Sequence, residues 1–109
     1  MNFNEYQQQC LTTANYPDIG HRCIYPALGL ANEAGEVLGK LKKVFRDDGG
    51  HFSDQKLEAL KDELGDVLWY VAGLAHDLGF TLEEVAHRNV EKLKNRKARN
   101  AIHGDGDYR

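Results

Sequence analysis

No stretch of this sequence approaches the roughly 18 consecutive apolar residues that a membrane helix needs. Its opening, MNFNEYQQQC, lacks the basic and apolar regions of a signal peptide. Cysteine is scarce: Cys10 and Cys23 stand alone, without CxxC spacing, so reduced thiols in a cytoplasmic protein are expected. No base is marked out to activate either one as a nucleophile. A Gly-x-x-x-x-Gly-Lys-Ser/Thr loop is missing, which excludes a P-loop mechanism. His21, His51 and His76 show no mutual spacing suited to zinc. Glu84-Val-Ala-His87 is a lone ExxH, whereas a di-iron bundle uses two with two further glutamates, and Glu84 already has a capping role. The formal charge of −3 offers no broad attraction to nucleic acid, so a nucleotide ligand would need local compensation.

What remains is a chain of 109 residues, 41% apolar and 28% charged, the composition of one globular domain spanning 1–109. It has no internal repeat, no linker and no strand-like alternation with hairpin turns, so an all-α fold is predicted. Phe3, Tyr6, Cys10, Leu11 and Ala14 make the apolar face of a first helix over 3–15, broken at Pro17. His21 and Tyr25 occupy the connection that follows, where they could wall a pocket. A second helix is predicted from Pro26 to Phe45, ended by Gly49-Gly50. A third covers 54–78, capped by Ser53 or Asp54 and stopped by Gly79. Thr81-Leu-Glu-Glu84 reads as a capping box opening a fourth, which continues to Ala98.

Two acidic pairs dominate the middle of the chain. Glu33 and Glu36 lie on the second helix, Glu63 and Asp66 on the third, each pair three residues apart and so on one helical face. The intervening residues, 37–62, suffice for one helix to end and the next to return. At about 100° per residue the third helix's apolar stripe is Leu57, Leu60, Leu64, Val67, Val71, Leu74 and Leu78. Glu63 sits roughly 60° and Asp66 roughly 120° from its centre, with Tyr70 continuing that flank. On the second helix the stripe is Ala31, Ala34, Leu38, Leu41 and Phe45, widened by Val37 and Val44. Glu33 lies roughly 90° away, Glu36 further, and Lys40 shares their side. A single such pair is ordinarily a solvated face. Two on consecutive helices edge a groove in which four carboxylates repel one another unless a cation joins them. A hard divalent ion bound through oxygen, Mg²⁺ or Mn²⁺, suits that set.

The fourth helix carries a second anomaly. Asn89 and Arg96 fall on the side of its stripe, Leu82, Val85, Ala86 and Leu93, with Lys92 adjacent. Polar groups in a core-facing stripe need partners. One reading is an Asn that fixes register and an Arg that snorkels. The other is that Lys92 and Arg96 meet phosphate oxygens and Asn89 bonds sugar or phosphate.

In order, Glu33-x-x-Glu36, Glu63-x-x-Asp66 running into Val-Leu-Trp-Tyr, and Asn89-x-x-Lys92-Leu-x-x-Arg96 resemble the MazG-like all-α nucleotide pyrophosphohydrolases. The resemblance runs from about Leu28 to the C-terminus. It implies a four- to five-helix bundle, assembled as a dimer or dimer of dimers. It also implies Mg²⁺-dependent hydrolysis of a nucleoside or deoxynucleoside triphosphate to monophosphate and pyrophosphate, a phosphorus-anhydride hydrolase clearing the nucleotide pool. Glu33, Glu36, Glu63 and Asp66 would then hold the metal and serve catalysis. Asn89, Lys92, Arg96, Lys40 and Tyr70 would bind substrate, with Lys43 a further cation in reach. Longer relatives often carry another acid where Val37 stands here, which bears on the number of metal ions. A phosphoribosyl-ATP pyrophosphohydrolase-like enzyme uses similar motifs. A non-catalytic interaction module is the alternative of another class, and it has no use for the Asn89, Lys92 and Arg96 set.

Two features stay open at this level. The ending, RKARNAIHGDGDYR, reads either as a frayed tail over about 100–109 or as a segment ordered by nucleotide or a neighbouring subunit. Trp69 faces a second packing layer, a partner or a base. Trp69 and Val44 lie off the main stripes and Val90 widens the face of the fourth helix, and such leftover apolar residues predict a homo-oligomer.

Overall fold

The computed structural model describes residues 1–109 and is all-helical. Four helices follow in order: α1 Phe3–Leu11, α2 Ile24–Asp48, α3 Asp54–Asp77 and α4 Leu82–Ala98. Local chemistry accounts for most boundaries. Asn2 caps α1 through a hydrogen bond from the Glu5 amide (2.8 Å). The helix stops four residues earlier than its apolar spacing predicts, because the Thr12 and Thr13 hydroxyls donate back to the Gln9 and Cys10 carbonyls. α2 starts two residues before Pro26 and runs past Phe45 to Asp48, where left-handed Gly49 closes it. Ser53 caps α3, accepting from the Lys56 amide. Both halves of the Thr81–Glu84 capping box form at 3.1 Å.

The packed end of the molecule joins α1, α3 and α4. Cys10, Ala72 and Leu82 are its buried centre, with Tyr6, Leu68, Trp69 and Val71 packed around them. Burial pushes the Cys10 thiol up, which suits an inert core residue. Gln7 ties the three helices together. Its amide donates to the carbonyls of Ala72 (3.1 Å) and Phe80 (3.2 Å) and accepts from the Leu82 amide (3.0 Å). That last bond satisfies one of the orphan donors at the start of α4.

α2 packs on α3 and on no other helix. The face it uses differs from the predicted stripe. Val44, read as spare interface, is fully buried, while Leu38 and Phe45 are about two-thirds exposed at 67% and 64%. On α3, Leu57 and Leu64 are likewise open, and the buried positions are Ala72, Gly73 and Ala75. α2 thus covers one side of its apolar stripe against α3 and leaves the other side open. Trp69 turns to the second packing layer, donating to the Thr13 hydroxyl (3.0 Å).

The result is an open body. Its accessible surface is 7936 Å², against about 6,100 Å² for a compact monomer of 12.3 kDa. The radius of gyration is 16.7 Å, where about 13 Å is usual for this length.

Candidate active site

Where α2 and α3 run side by side, Glu33, Glu63 and Asp66 each bring a carboxylate oxygen within 4.8 Å of the others. The spacing within each helix puts the acids on one flank, and the antiparallel return of α3 sets the two flanks face to face. Glu36 lies one turn along α2, exposed and outside this triplet. It still acts on Glu33 through space. The Glu33 carboxyl holds its proton more tightly than an ordinary glutamate, through partial burial first and then the charges of Asp66, Glu63 and Glu36.

Only one cation moderates this crowd. Lys40 reaches Glu63 at 3.4 Å, with the Glu63 side chain 17% exposed. Three hard oxygen donors short of positive charge, Glu33 and Glu63 half-buried and Asp66 exposed, fit a divalent cation such as Mg²⁺.

An aromatic wall flanks the acids. Burial raises the Tyr70 phenol, with Tyr25, Glu33 and Asp66 adding to the effect. Tyr70 meets Trp69 edge-on with centroids 4.9 Å apart, and Trp69 meets Tyr16 edge-on at 6.1 Å. Tyr16 stacks on Tyr25 at 5.4 Å. The Tyr16 hydroxyl donates to Asp77 (2.6 Å), and its pKa is pushed up to about 12 by burial and that bond. Gly29 makes room for the Tyr70 ring, since a Cβ there would lie 2.2 Å from it. Sequence reasoning passed over Gly29 and Tyr16. A glycine inside an apolar helix is the one signal that pointed to such a close approach.

The α4 residues form a separate group. α4 packs against α1 and α3 and makes no contact with α2, the helix that carries Glu33. Asn89 is exposed and, with Lys92, lines an open cleft of about 920 Å³ on α4. Lys92 contacts Asp107 at 3.0 Å. Arg96 is only 4% exposed and donates to the Asp107 carbonyl (2.6 Å) and carboxylate (3.3 Å). The tail is thereby docked against α4.

Comparison with known sequences now decides the family. Residues 26–100 match the MazG nucleotide pyrophosphohydrolase domain. The chain belongs to this family. It is also 42% identical over 114 residues to the Gene 37 protein of Mycobacterium phage L5, covering all of both chains. No solved structure matches. Membership in the MazG family makes nucleotide pyrophosphohydrolysis the class of chemistry, and the acidic triplet is a group that could hold a divalent cation. No helix is long and apolar enough to cross a membrane.

Proposed function

We propose that this protein hydrolyses a nucleoside or deoxynucleoside triphosphate to its monophosphate and pyrophosphate, using Mg²⁺ (or Mn²⁺), as part of cytoplasmic nucleotide-pool clearance. The observation that carries the reading is the meeting of Glu33, Glu63 and Asp66 within 4.8 Å in a chain of the MazG family. A divalent cation held there would supply charge neutralisation and Lewis acidity to the triphosphate.

The protein's own residues set the rest. Lys40 orients Glu63, and Glu36 is the proposed fourth member of the acidic set. Tyr70, lodged against Gly29, forms a rigid side of the substrate groove. Asn89 and Lys92 are assigned to sugar and phosphate, and Arg96, buried beneath the tail, to fixing the segment beside them.

We further assign the working unit as a homodimer, or a dimer of such dimers. Surface in excess of a compact monomer amounts to about 1,800 Å² per chain, the scale of an obligate interface. Leu38 and Phe45 on α2, and Leu57 and Leu64 on α3, repeat every seven residues and are exposed, as an apolar seam between helices would be. A second copy on that seam gives α4 of one chain a route to the acids of the other.

A panel of ribo- and deoxynucleoside triphosphates with Mg²⁺, its products separated by chromatography, is the test. Expected products are a monophosphate and pyrophosphate, with turnover lost in excess chelator. Release of inorganic phosphate alone, or full turnover in chelator, would refute the reading.

A further inference from the structure

Residues 100–109 form a built loop. The Arg109 guanidinium donates to the carbonyls of Ala101 (3.3 Å), Ile102 (2.7 Å) and Gly106, closing the segment on itself. Gly104, at φ +155°, leaves space for that side chain, because a Cβ there would sit 2.8 Å from Arg109 Cδ. Arg99 adds a bond to the Arg109 carbonyl (2.7 Å).

Two cations of α4 receive the loop, and they do so unequally. Arg96 is sunk beneath it, nine-tenths buried, with its Nη2 on the Asp107 carbonyl and its Nε without a partner. A guanidinium so placed supports the loop from below. Lys92 is 35% exposed at its side chain and shares the Asp107 carboxylate with Arg96, at 3.0 and 3.3 Å. The two cations hold that carboxylate well below the usual range, so it stays ionised. A lysine ammonium on four methylenes is otherwise mobile, and fixing it beforehand lowers the entropy cost of gripping an anion. Its three donors leave two for a ligand after Asp107 takes one. Two positive charges against one negative leave the cluster attractive to phosphate.

We propose that Asp107 is a positioning residue that holds the Lys92 ammonium ready for a polyphosphate, with Arg96 and Arg109 fixing the loop that carries it. This rests on the phosphate role assigned to Lys92 above. The Arg96 bond to the Asp107 main-chain carbonyl anchors the loop independently of the Asp107 carboxylate.

Calorimetric titration of the full chain with inorganic tripolyphosphate at fixed Mg²⁺ tests it without requiring turnover. Asp107→Asn and Lys92→Ala are each expected to weaken binding by ~2–5-fold, the scale of a partly exposed charge contact. The double variant should be no weaker than Lys92→Ala alone, because both act through one ammonium. Binding by Asp107→Asn as tight as or tighter than wild type would show a competitor and overturn the proposal, as would additive losses in the double variant. Unchanged affinity in Lys92→Ala would remove the phosphate role of Lys92 and this proposal with it. A loss in Lys92→Ala without one in Asp107→Asn would remove this proposal alone.

Discussion

The two ends of α3 live in different circumstances. At its C-terminal end, Ala72 and Ala75 are buried among α1 and α4, and Gln7 satisfies three backbone groups around them. At its N-terminal end, α3 has α2 on one side and solvent on the other, with Leu57 and Leu64 exposed and acids gathered between the helices. The first end has a buried centre whose polar groups are satisfied within one chain. The second is short of both apolar cover and positive charge, the two things that a second copy and a cation would supply. The activity proposed for this chain falls at the unfinished end, where acids short of positive charge could act on a ligand.

Changes at the unfinished end should cost activity more than stability. Glu63→Gln or Asp66→Asn is expected to lower turnover by about two to three orders of magnitude, the scale of losing one preorganised electrostatic contact. Circular dichroism should show the helices intact. Retained activity in both variants would dissolve the distinction between the two ends.

The reverse pattern is expected at the finished end. Gln7→Ala leaves the Ala72 and Phe80 carbonyls and the Leu82 amide without their side-chain partner, costing roughly 2–4 kcal/mol at the usual price of buried unpaired groups. Urea unfolding measures this, and a loss below about 0.5 kcal/mol, the range of ordinary surface changes, would deny Gln7 its central place.

Leu38→Glu combined with Leu64→Glu puts charge on the exposed seam of both helices. Light scattering at micromolar concentration should move from dimer or larger toward about 12 kDa, the chain mass, since each buried charge opposes association. An unmoved mass would place the interface elsewhere.

The smallest effect is one of pH. Glu33 has a raised proton affinity in the folded chain, so between the ordinary glutamate value and the raised one the native state binds more protons than the unfolded state. Metal-free stability should therefore fall as pH rises through that window, and be regained on acidification back to it. Glu33→Gln should flatten this dependence and raise the neutral-pH melting temperature by on the order of a few degrees. A melting curve with the opposite slope in that window would contradict the crowding of these acids.

The caps of α3 and α4 and the glycine stop of α2 were legible in the sequence because their causes are local, whereas α1 ends short of its apolar spacing and α2 overruns its predicted bounds. Ser53, the Thr81–Glu84 box and Gly49 act within a few residues of themselves. The pairing of Glu33 with Glu63 and Asp66 was legible too, since two flanks of one hairpin must face each other. The choice between Val44 and Phe45 as the covered side of α2 was not. Periodicity reports a stripe but not which part of it a chain's own helices will take. Gln7 escaped notice for a related reason, as its partners lie 65 to 75 residues away. On α4 the spacing grouped Asn89 with Arg96, yet one is exposed and the other buried. A tail that docks by charge has no periodicity to reveal it.

The span between Gln7 and Leu82 also sets an order of events in time. During synthesis α1 emerges first but its partners at Ala72, Phe80 and Leu82 are made only after α2 and most of α3, so Gln7 must wait in water until they appear. The α2–α3 hairpin closes over a shorter span and can assemble meanwhile, since nearer contacts lose less loop entropy on closure. Docking of α1 is then the step that locks the molecule. Any lesion at Gln7 should slow folding least and speed unfolding most, leaving a chain that reaches its shape and fails to keep it.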